Sequence, residues 1–405
     1  MSGAFNQHWH FAIVGAGLSG ACLALLLARE RSQWNILLID TQNPDSPTEP
    51  DHRSSALSAS TVDVLQTMGL WSTLEAKTAA ITAIDVSDRG HAGSASLNAA
   101  EQNLGAYGHV VENAQLASVF EQALTEFPNI TCVKSPAPTA IKPRQAGMGL
   151  TLEQGDCLAD LVVLAGGEHR PLAEKLGIGY RTYDYQRVAL VANLTMAEAH
   201  DGLAHERFTG NGAIALLPLP GEGEKRVSLV WTLSPEQAEE MQGASAEDFI
   251  VSLNQQLGSR AGTALEADFC QCFPVKKIIA EEQVRSHLLL LGNAAHSMHP
   301  VAGQGFNLSV RDIATLTELL SKSYSEGIQP GDLSVLQGYA KLRKDDQGRT
   351  VALSDKLPKL FGMDEPLAMA ARNIGLVTLD LLPPLRQGFA RFGAGLMARR
   401  AQLRE

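Results

Sequence analysis

Apolar positions along the chain follow two rhythms, short continuous runs and helical spacing, and glycines stand where one gives way to the other. His10-Phe11-Ala12-Ile13-Val14 is a short apolar run, Ala21 to Glu30 is rich in alanine and leucine, and Gly15-Ala16-Gly17-Leu18-Ser19-Gly20 lies between them. That order predicts a strand, a tight turn and a helix. A second strand, Asn35 to Ile39, ends in Asp40. Arg53-Ser54-Ser55-Ala56-Leu57-Ser58 is read as opening a helix that runs through Val62, Leu65 and Met68 to Gly69. Ile81 to Ser87 alternates as a strand, Asp88 to Gly93 turns and Ser94 to Leu97 returns, a hairpin expected in a different sheet from the N-terminal strands.

Further along, Gly108 to Asn113 precedes a helix at Ala114 to Phe127. Ile130 to Val133 and Leu150 to Leu152 read as strands, and Leu161 to Ala165 as a fully apolar one that stops at Gly166-Gly167. Strand then follows strand at Val188 to Leu194, Ala213 to Pro218, Val227 to Thr232 and Phe269 to Val275, with a helix at Ala246 to Leu257, which predicts an antiparallel sheet. Leu289-Leu290-Leu291 repeats the N-terminal theme: a buried strand, a loop punctuated by Pro300 and Gly303-Gln304-Gly305, and a helix from Leu308 to Leu320. Leu333 to Arg349 reads as a charged helix, and the remainder as helical with breaks at Pro358 and Pro383-Pro384. The fold class is therefore α/β (α+β). A Rossmann-like domain of residues 1–78, 100–180 and 285–345 is interrupted by an antiparallel-sheet domain of residues 79–99 and 181–284, and residues 346–405 form a helical C-terminal region.

Both glycine turns open helices, so both present free backbone N–H groups and the positive end of a helix dipole to whatever lies above them. Gly15 to Gly20 matches G-x-G-x-x-G, and Asp40 lies 40 − 20 = 20 residues beyond Gly20. At that spacing an acid accepts from a ribose hydroxyl while a pyrophosphate sits on the helix N-terminus, so the N-terminal unit predicts an adenine dinucleotide held by Gly15, Ala16, Gly17, Ser19, Gly20 and Asp40. Arg53, following a loop rich in Pro, Asp and Ser, suits a guanidinium that meets phosphate or the cofactor's ring, with a plain solvated arginine as the alternative.

Composition narrows the classes. The 405 residues are 45% hydrophobic and 19% charged with a net charge of −11, which suits a globular chain and argues against non-specific nucleic-acid binding. No run approaches the roughly 18 apolar residues of a membrane span, and no secretory signal precedes the first strand, so a cytoplasmic setting is expected. Five cysteines, Cys22, Cys132, Cys157, Cys270 and Cys272, form no disulfide framework. His296 and His299 lack further ligands at metal spacing, so no metal is expected.

Four blocks together resemble the class A flavoprotein aromatic monooxygenases, and within them the ubiquinone-biosynthesis hydroxylase family, in the branch acting on a polyprenylated methoxyphenol. They are Gly292-Asn293-Ala294-Ala295 with His299 to Leu308, Ile81-Thr82 through Ser87 to Gly93, Glu206-Arg207-Phe208, and Arg372-Asn373-Ile374-Gly375. The resemblance implies a fold of the p-hydroxybenzoate-hydroxylase type and an enzyme that hydroxylates an aromatic ring. Its cofactors would be FAD and transient NAD(P)H, with dioxygen activated as a flavin C4a-hydroperoxide. It also implies that Arg53, Gly167, Asn293, Gly303, Gln304, Gly305, Phe306 and Asn307 join the first glycine loop around FAD, with His299 and Pro300 as the flavin-side candidates for catalysis. Two departures stand out. Asn293 replaces an aspartate of the wider class. In Leu164-Ala165-Gly166-Gly167-Glu168-His169-Arg170, Gly166 replaces the aspartate and Arg170 the serine of A-D-G-x-x-S. Either Glu168 reaches into the missing carboxylate's place, or the site tolerates the change, or reduction by NAD(P)H is impaired.

A prenylated phenol dissolves in the bilayer, and the chain's end offers a means of approach. Leu385, Phe389, Phe392, Leu396 and Leu403 share one helical face with Arg386, Arg391, Arg399, Arg400 and Arg404 around it, which predicts membrane-surface contact through residues 385–405 and a peripheral place at the inner membrane. A helix docked on the protein itself or on another subunit is the alternative. Other ubiquinone-biosynthesis proteins are expected partners. A flavin oxidoreductase that acts on prenyl lipids without oxygen insertion, and a weakened scaffold in a ubiquinone-biosynthesis complex, are the competing readings.

Overall fold

The computed structural model describes residues 7–41, 51–90, 93–209, 212–268, 270–299, 303–361, 375, 378 and 382–403. Strand β1 (His8–Val14), helix α1 (Leu18–Glu30) and strand β2 (Ile36–Asp40) follow one another at the centre of an eight-stranded sheet. β1 lies between β2 and Gly155–Leu164, parallel to both, with Ile130–Lys134 beyond β2 and Leu288–Leu290 beyond the other side. Parallel strands covered on both faces need apolar residues at every position, and Phe11, Ala12, Ile13 and Val14 are all fully buried. α1 packs nearly all round, from Ala21 to Ala28, against the first sheet and the long helix Gln304–Ser325.

A nine-stranded sheet forms the second layer, built from Ala83–Asp88, Ser94–Asn98, Tyr180–Met196, Leu203–Thr209, Gly212–Pro218, Arg226–Leu233, Ala264–Ala267, Gln271–Ala280 and His296–Ser297. The last pair matters for the site. Leu288–Leu290 belongs to the first sheet, while Ile278 and Ile279 pair with Ser297 and His296 in the second, so the chain passes between the two sheets just before the second glycine turn. His296 is held there by Asp312 of the long helix at 2.9 Å, and Asp312 in turn accepts from Arg343 at 2.5 Å.

Several expectations change. Residues 54–58 are not a helix: β3 (Ser54–Ser58) pairs antiparallel with Gly108–Glu112, and α2 (Ala59–Thr67) starts only after Ser58, whose Oγ accepts from Thr61 N. Nothing in the local pattern overrides a helix; the ladder to Gly108–Glu112 and the bonds from Asn307 do. The helix Leu333–Phe361 runs through position 358, where a break was expected. The strand Leu203–Thr209 and the helix Pro235–Gly243 were not anticipated.

At the C-terminus the single amphipathic face is not formed. The helix Pro383–Gly393 ends before Leu396, which packs near Ala390, Ala394 and Tyr107, while Leu403 packs on the first core. Arg386, Arg399 and Arg400 pair with Glu101, Glu318 and Asp63 of the body. Among the described residues no helix is long and apolar enough to cross a membrane. The side chains of Phe389 and Phe392, residues 404–405 and the Arg372 to Ile374 block lie outside the described residues. All five cysteines are free thiols, and no group of metal-holding side chains occurs among the described residues.

Candidate active site

The first glycine loop divides its labour. Gly15 N–H donates to the Ile39 carbonyl at 2.9 Å and takes φ +103°, a conformation that favours glycine. A Cβ at Gly20 would lie 1.9 Å from the Gly15 carbonyl oxygen, so α1 can approach the loop only as glycine. Gly17 is the N-cap of α1, with no side-chain cap and no acid in the first turn, and open space lies where its Cβ would be. Ala16, Gly17, Leu18 and Ser19 line a cavity of about 1220 Å³, while Gly15 and Gly20 pack behind them. Uncapped N–H groups at a helix start, with no side chain in front, form a seat for a phosphate. Asp40 sits half-buried at the end of β2, outside the lining of the cavity.

The second turn mirrors the first. Gly303, at φ +57°, is the N-cap of Gln304–Ser325, again without a side-chain cap or an acid in the first turn, and open space faces Gly305. Gly303, Gln304, Gly305, Phe306 and Asn307 all line the same cavity. Their side chains have other duties. Asn307 Oδ1 accepts from Ser58 N and Thr61 Oγ1, both at 2.8 Å, and Nδ2 donates to the Ala56 and Gly303 carbonyls at 2.7 and 2.9 Å. With all four bonds made inside the protein, this amide clamps β3 to the helix and leaves only backbone for a cofactor. Gln304 Nε2 donates to the Gly393 carbonyl at 3.3 Å.

His299 reaches the cavity, packed edge-on against Tyr185 at 5.2 Å. Burial pulls its pKa down to about 4, with Asp355 opposing the shift, so the ring is neutral at ordinary pH and packs the loop. Pro300 lies outside the described residues.

Where the two loops meet, the carboxyl of Glu168 fills the space that a side chain at Gly166 would need. A Cβ at Gly166 would stand 2.2 Å from Glu168 Oε1 and 2.4 Å from Cδ. His169 lies 3.3 Å from the Glu168 carboxylate, and that bond holds Glu168 below the usual carboxylate range despite partial burial. Arg170 donates to the Asn293 carbonyl through Nη2 at 2.8 Å and Nε at 3.2 Å, tying this segment to the second loop. Gly166, Gly167, Glu168 and Asn293 all line the cavity. Arg53 lines it too, but its guanidinium is held by Asp51 at 2.7 and 2.8 Å and lies 4.9 Å over Phe273.

The cavity then continues over one face of the second sheet, where Ile84, Val86, Leu97, Ala204, Phe208, Leu217 and Val230 form an apolar wall. Glu206 stands in that wall, a residue the sequence reading quoted only as part of a block. The missed signal was alternation: Ala204 and Phe208 are buried on either side of it, so a carboxylate occupies the apolar face of a strand. At about 1220 Å³ the cavity exceeds the usual ~300–1,000 Å³ of a small-molecule site, leaving room for a dinucleotide and a second, apolar ligand.

The glycine cradles fit FAD, and comparison with known proteins agrees. A family described as FAD binding domain matches residues 9–351. The ubiquinone hydroxylase UbiL of Rhodospirillum rubrum is 33% identical over 95% of this chain and 89% of its own. The 3-demethoxyubiquinol 3-hydroxylase of Escherichia coli is 28% identical over 96% of this chain and 100% of its own. Among solved structures, the p-nitrophenol 4-monooxygenase PnpA of Pseudomonas putida superposes with a TM-score of 0.77 at 17% identity, covering 96% of this chain and 98% of that one, which supports the fold. The chain belongs to the FAD binding domain family, among the flavoprotein monooxygenases that include the ubiquinone hydroxylases.

Proposed function

We propose that the protein hydroxylates the aromatic ring of a polyprenylated phenol in ubiquinone biosynthesis, with NAD(P)H as a transient reductant and dioxygen as co-substrate. One observation carries the reading: two bare helix N-termini and an apolar wall share a single cavity. The N–H groups at Gly17 to Ser19 would hold the FAD pyrophosphate, and those at Gly305 and Phe306 would face a ring oxygen that gains negative charge on reduction. Bound FAD, once reduced, supplies the chemistry that activates dioxygen toward an electron-rich ring. The chain's own work is to orient the phenol on the Val86–Phe208 wall and to exclude water from it. Glu168 supports a working site over a weakened scaffold, because its carboxyl occupies the place left by Gly166.

The test is turnover of a prenylated methoxyphenol with NAD(P)H under labelled dioxygen. One labelled oxygen in the product is expected; product formed without the label would favour the oxidoreductase reading. Approach to the bilayer, and with it a cytoplasmic, peripheral location, is proposed to use the exposed Leu382, Leu385 and Met397 near the cavity-lining Ala390 and Ala394. Removal of residues 385–405 should abolish co-sedimentation with anionic liposomes, and unchanged binding would remove that proposal.

A further inference from the structure

The apolar wall holds one feature that an apolar ligand alone does not explain. Across the second sheet, Val86, Glu206, Ala215, Val230 and Val191 are register partners in successive strands and form a single rung along the cavity. Four are small aliphatics, and the fifth is an acid. Glu206 Oε1 is sealed from water without a hydrogen-bond partner among the described residues, although the side chain as a whole borders the cavity's own space. A buried acceptor left unmatched costs about 1–3 kcal/mol and disfavours the ionised carboxyl, so a ligand that donates a hydrogen bond to the side of the group bordering the cavity would be favoured.

Among the described residues no opposite charge answers it. On its own strand the same face carries Ala204 and Phe208; His205 and Arg207 point to the other face, where they meet Asp85 and Ser87. The strand Ala83–Asp88 sets Val86 opposite, with Asp88 two residues along, and the strand Gly212–Pro218 sets Ala215 opposite. Burial alone acts on the carboxyl and pushes its pKa up to about 7. An acid in that range is half-ionised near neutral pH, the condition under which a side chain both accepts and returns a proton efficiently.

We propose that Glu206 receives the phenolic hydroxyl of the substrate and acts as its proton acceptor during hydroxylation. The proposal rests on the hydroxylase reading above and names the residue that makes the ring reactive. The O–H bond of the phenol breaks, its proton passes to the Glu206 carboxylate, and the electron pair stays on the phenol oxygen. That pair enriches the ring, whose π electrons form the new C–O bond to one oxygen atom derived from dioxygen as the O–O bond breaks; the second oxygen leaves as water, with two electrons from NAD(P)H and protons from NAD(P)H and solvent. Loss of the ring C–H proton to solvent restores aromaticity as Glu206 returns its proton to the phenol oxygen. The acid ends as it began.

The experiment uses the FAD-loaded full chain, a methoxyphenol bearing one prenyl group, and its methyl ether, which has no proton to donate. Dissociation constants of both probes come from quenching of flavin fluorescence, and hydroxylation is followed from pH 5.5 to 9. The wild type should bind the phenol about 10-fold more tightly than the ether, and Glu206→Ala should bring that ratio near one. The isosteric Glu206→Gln should lower kcat for hydroxylation by roughly 100-fold, divert dioxygen to hydrogen peroxide and erase an inflection near pH 7 in kcat/KM. A Glu206→Ala protein that keeps the phenol preference, or a Glu206→Gln protein that keeps both rate and inflection, overturns the role of Glu206 alone. A wild type that distinguishes neither probe and hydroxylates neither overturns the functional reading, and this inference with it.

Discussion

The two ends of the cavity are built by different means. At the glycine turns the groups offered to the cavity are backbone N–H donors at Gly17 and Gly305, and the side chains around them are absent or tied up elsewhere, as in Asn307. At the far end the groups offered are side chains, an apolar rung with Glu206 set into it. A backbone cradle depends on what a residue leaves out, whereas a side-chain wall depends on what it puts in. Substitutions at the first should therefore act through bulk and charge added, and at the second through groups removed.

The largest effect expected from that contrast is at Gly20. A methyl group there meets the Gly15 carbonyl oxygen at 1.9 Å, and backbone cannot rotate away, so Gly20→Ala should lower the stability of the cofactor-free protein by on the order of 3 kcal/mol. Urea unfolding measures it; a loss below half that value would mean that α1 shifts freely. Asn307→Ala comes next. It orphans the Ser58 N–H and the Thr61 hydroxyl, both buried, and should cost about 2 kcal/mol by the same measurement. If Asn307→Ala instead weakened FAD binding while leaving unfolding unchanged, the amide would be a ligand and not a clamp.

Gly17→Asp separates fold from ligand. Aspartate is a favoured N-cap and faces open space here, so the cofactor-free protein should be unchanged or slightly more stable. The same carboxylate would stand against a pyrophosphate, and FAD affinity should fall by about 100-fold, or ~2.7 kcal/mol, in titrations of the stripped protein. Equal FAD affinity in the variant would place the phosphates elsewhere.

These differences also explain what could be read in advance. The glycine spacing before α1 and before Gln304–Ser325 was visible because left-handed φ angles, close approach and uncapped helix starts all demand the same residue. β3 was misread because Ser54–Ser58 has no strong preference of its own; its partner Gly108–Glu112 and the Asn307 clamp come from 50 or more residues away. Glu206 left a trace, an acid between Ala204 and Phe208, but alternation alone does not say which side of a strand faces a cavity and which faces helix Ala246–Leu257. Arg53 is the reverse case: its position at the cavity was legible, whereas the pairing of its charge with Asp51 was not.

The smallest expected effect is the most discriminating for the seam between the halves. If Glu168 stands in for the side chain missing at Gly166, then supplying aspartate there should harm the protein, because the new Cβ would lie 2.2 Å from Glu168 Oε1 and a second negative charge would join the first. Gly166→Asp alone should slow reduction of bound flavin by NAD(P)H about 10-fold, a change of ~1.4 kcal/mol. Glu168→Ala alone should slow it by a similar factor. The double variant Gly166→Asp, Glu168→Ala should recover most of the rate, since one carboxylate again occupies the space, and the coupling between two such neighbours should exceed about 1 kcal/mol. Stopped-flow reduction of the four proteins gives the cycle directly. Additive losses would mean that the two side chains do not share the gap, whereas a gain from Gly166→Asp by itself would mean that the native chain lacks a carboxylate it needs.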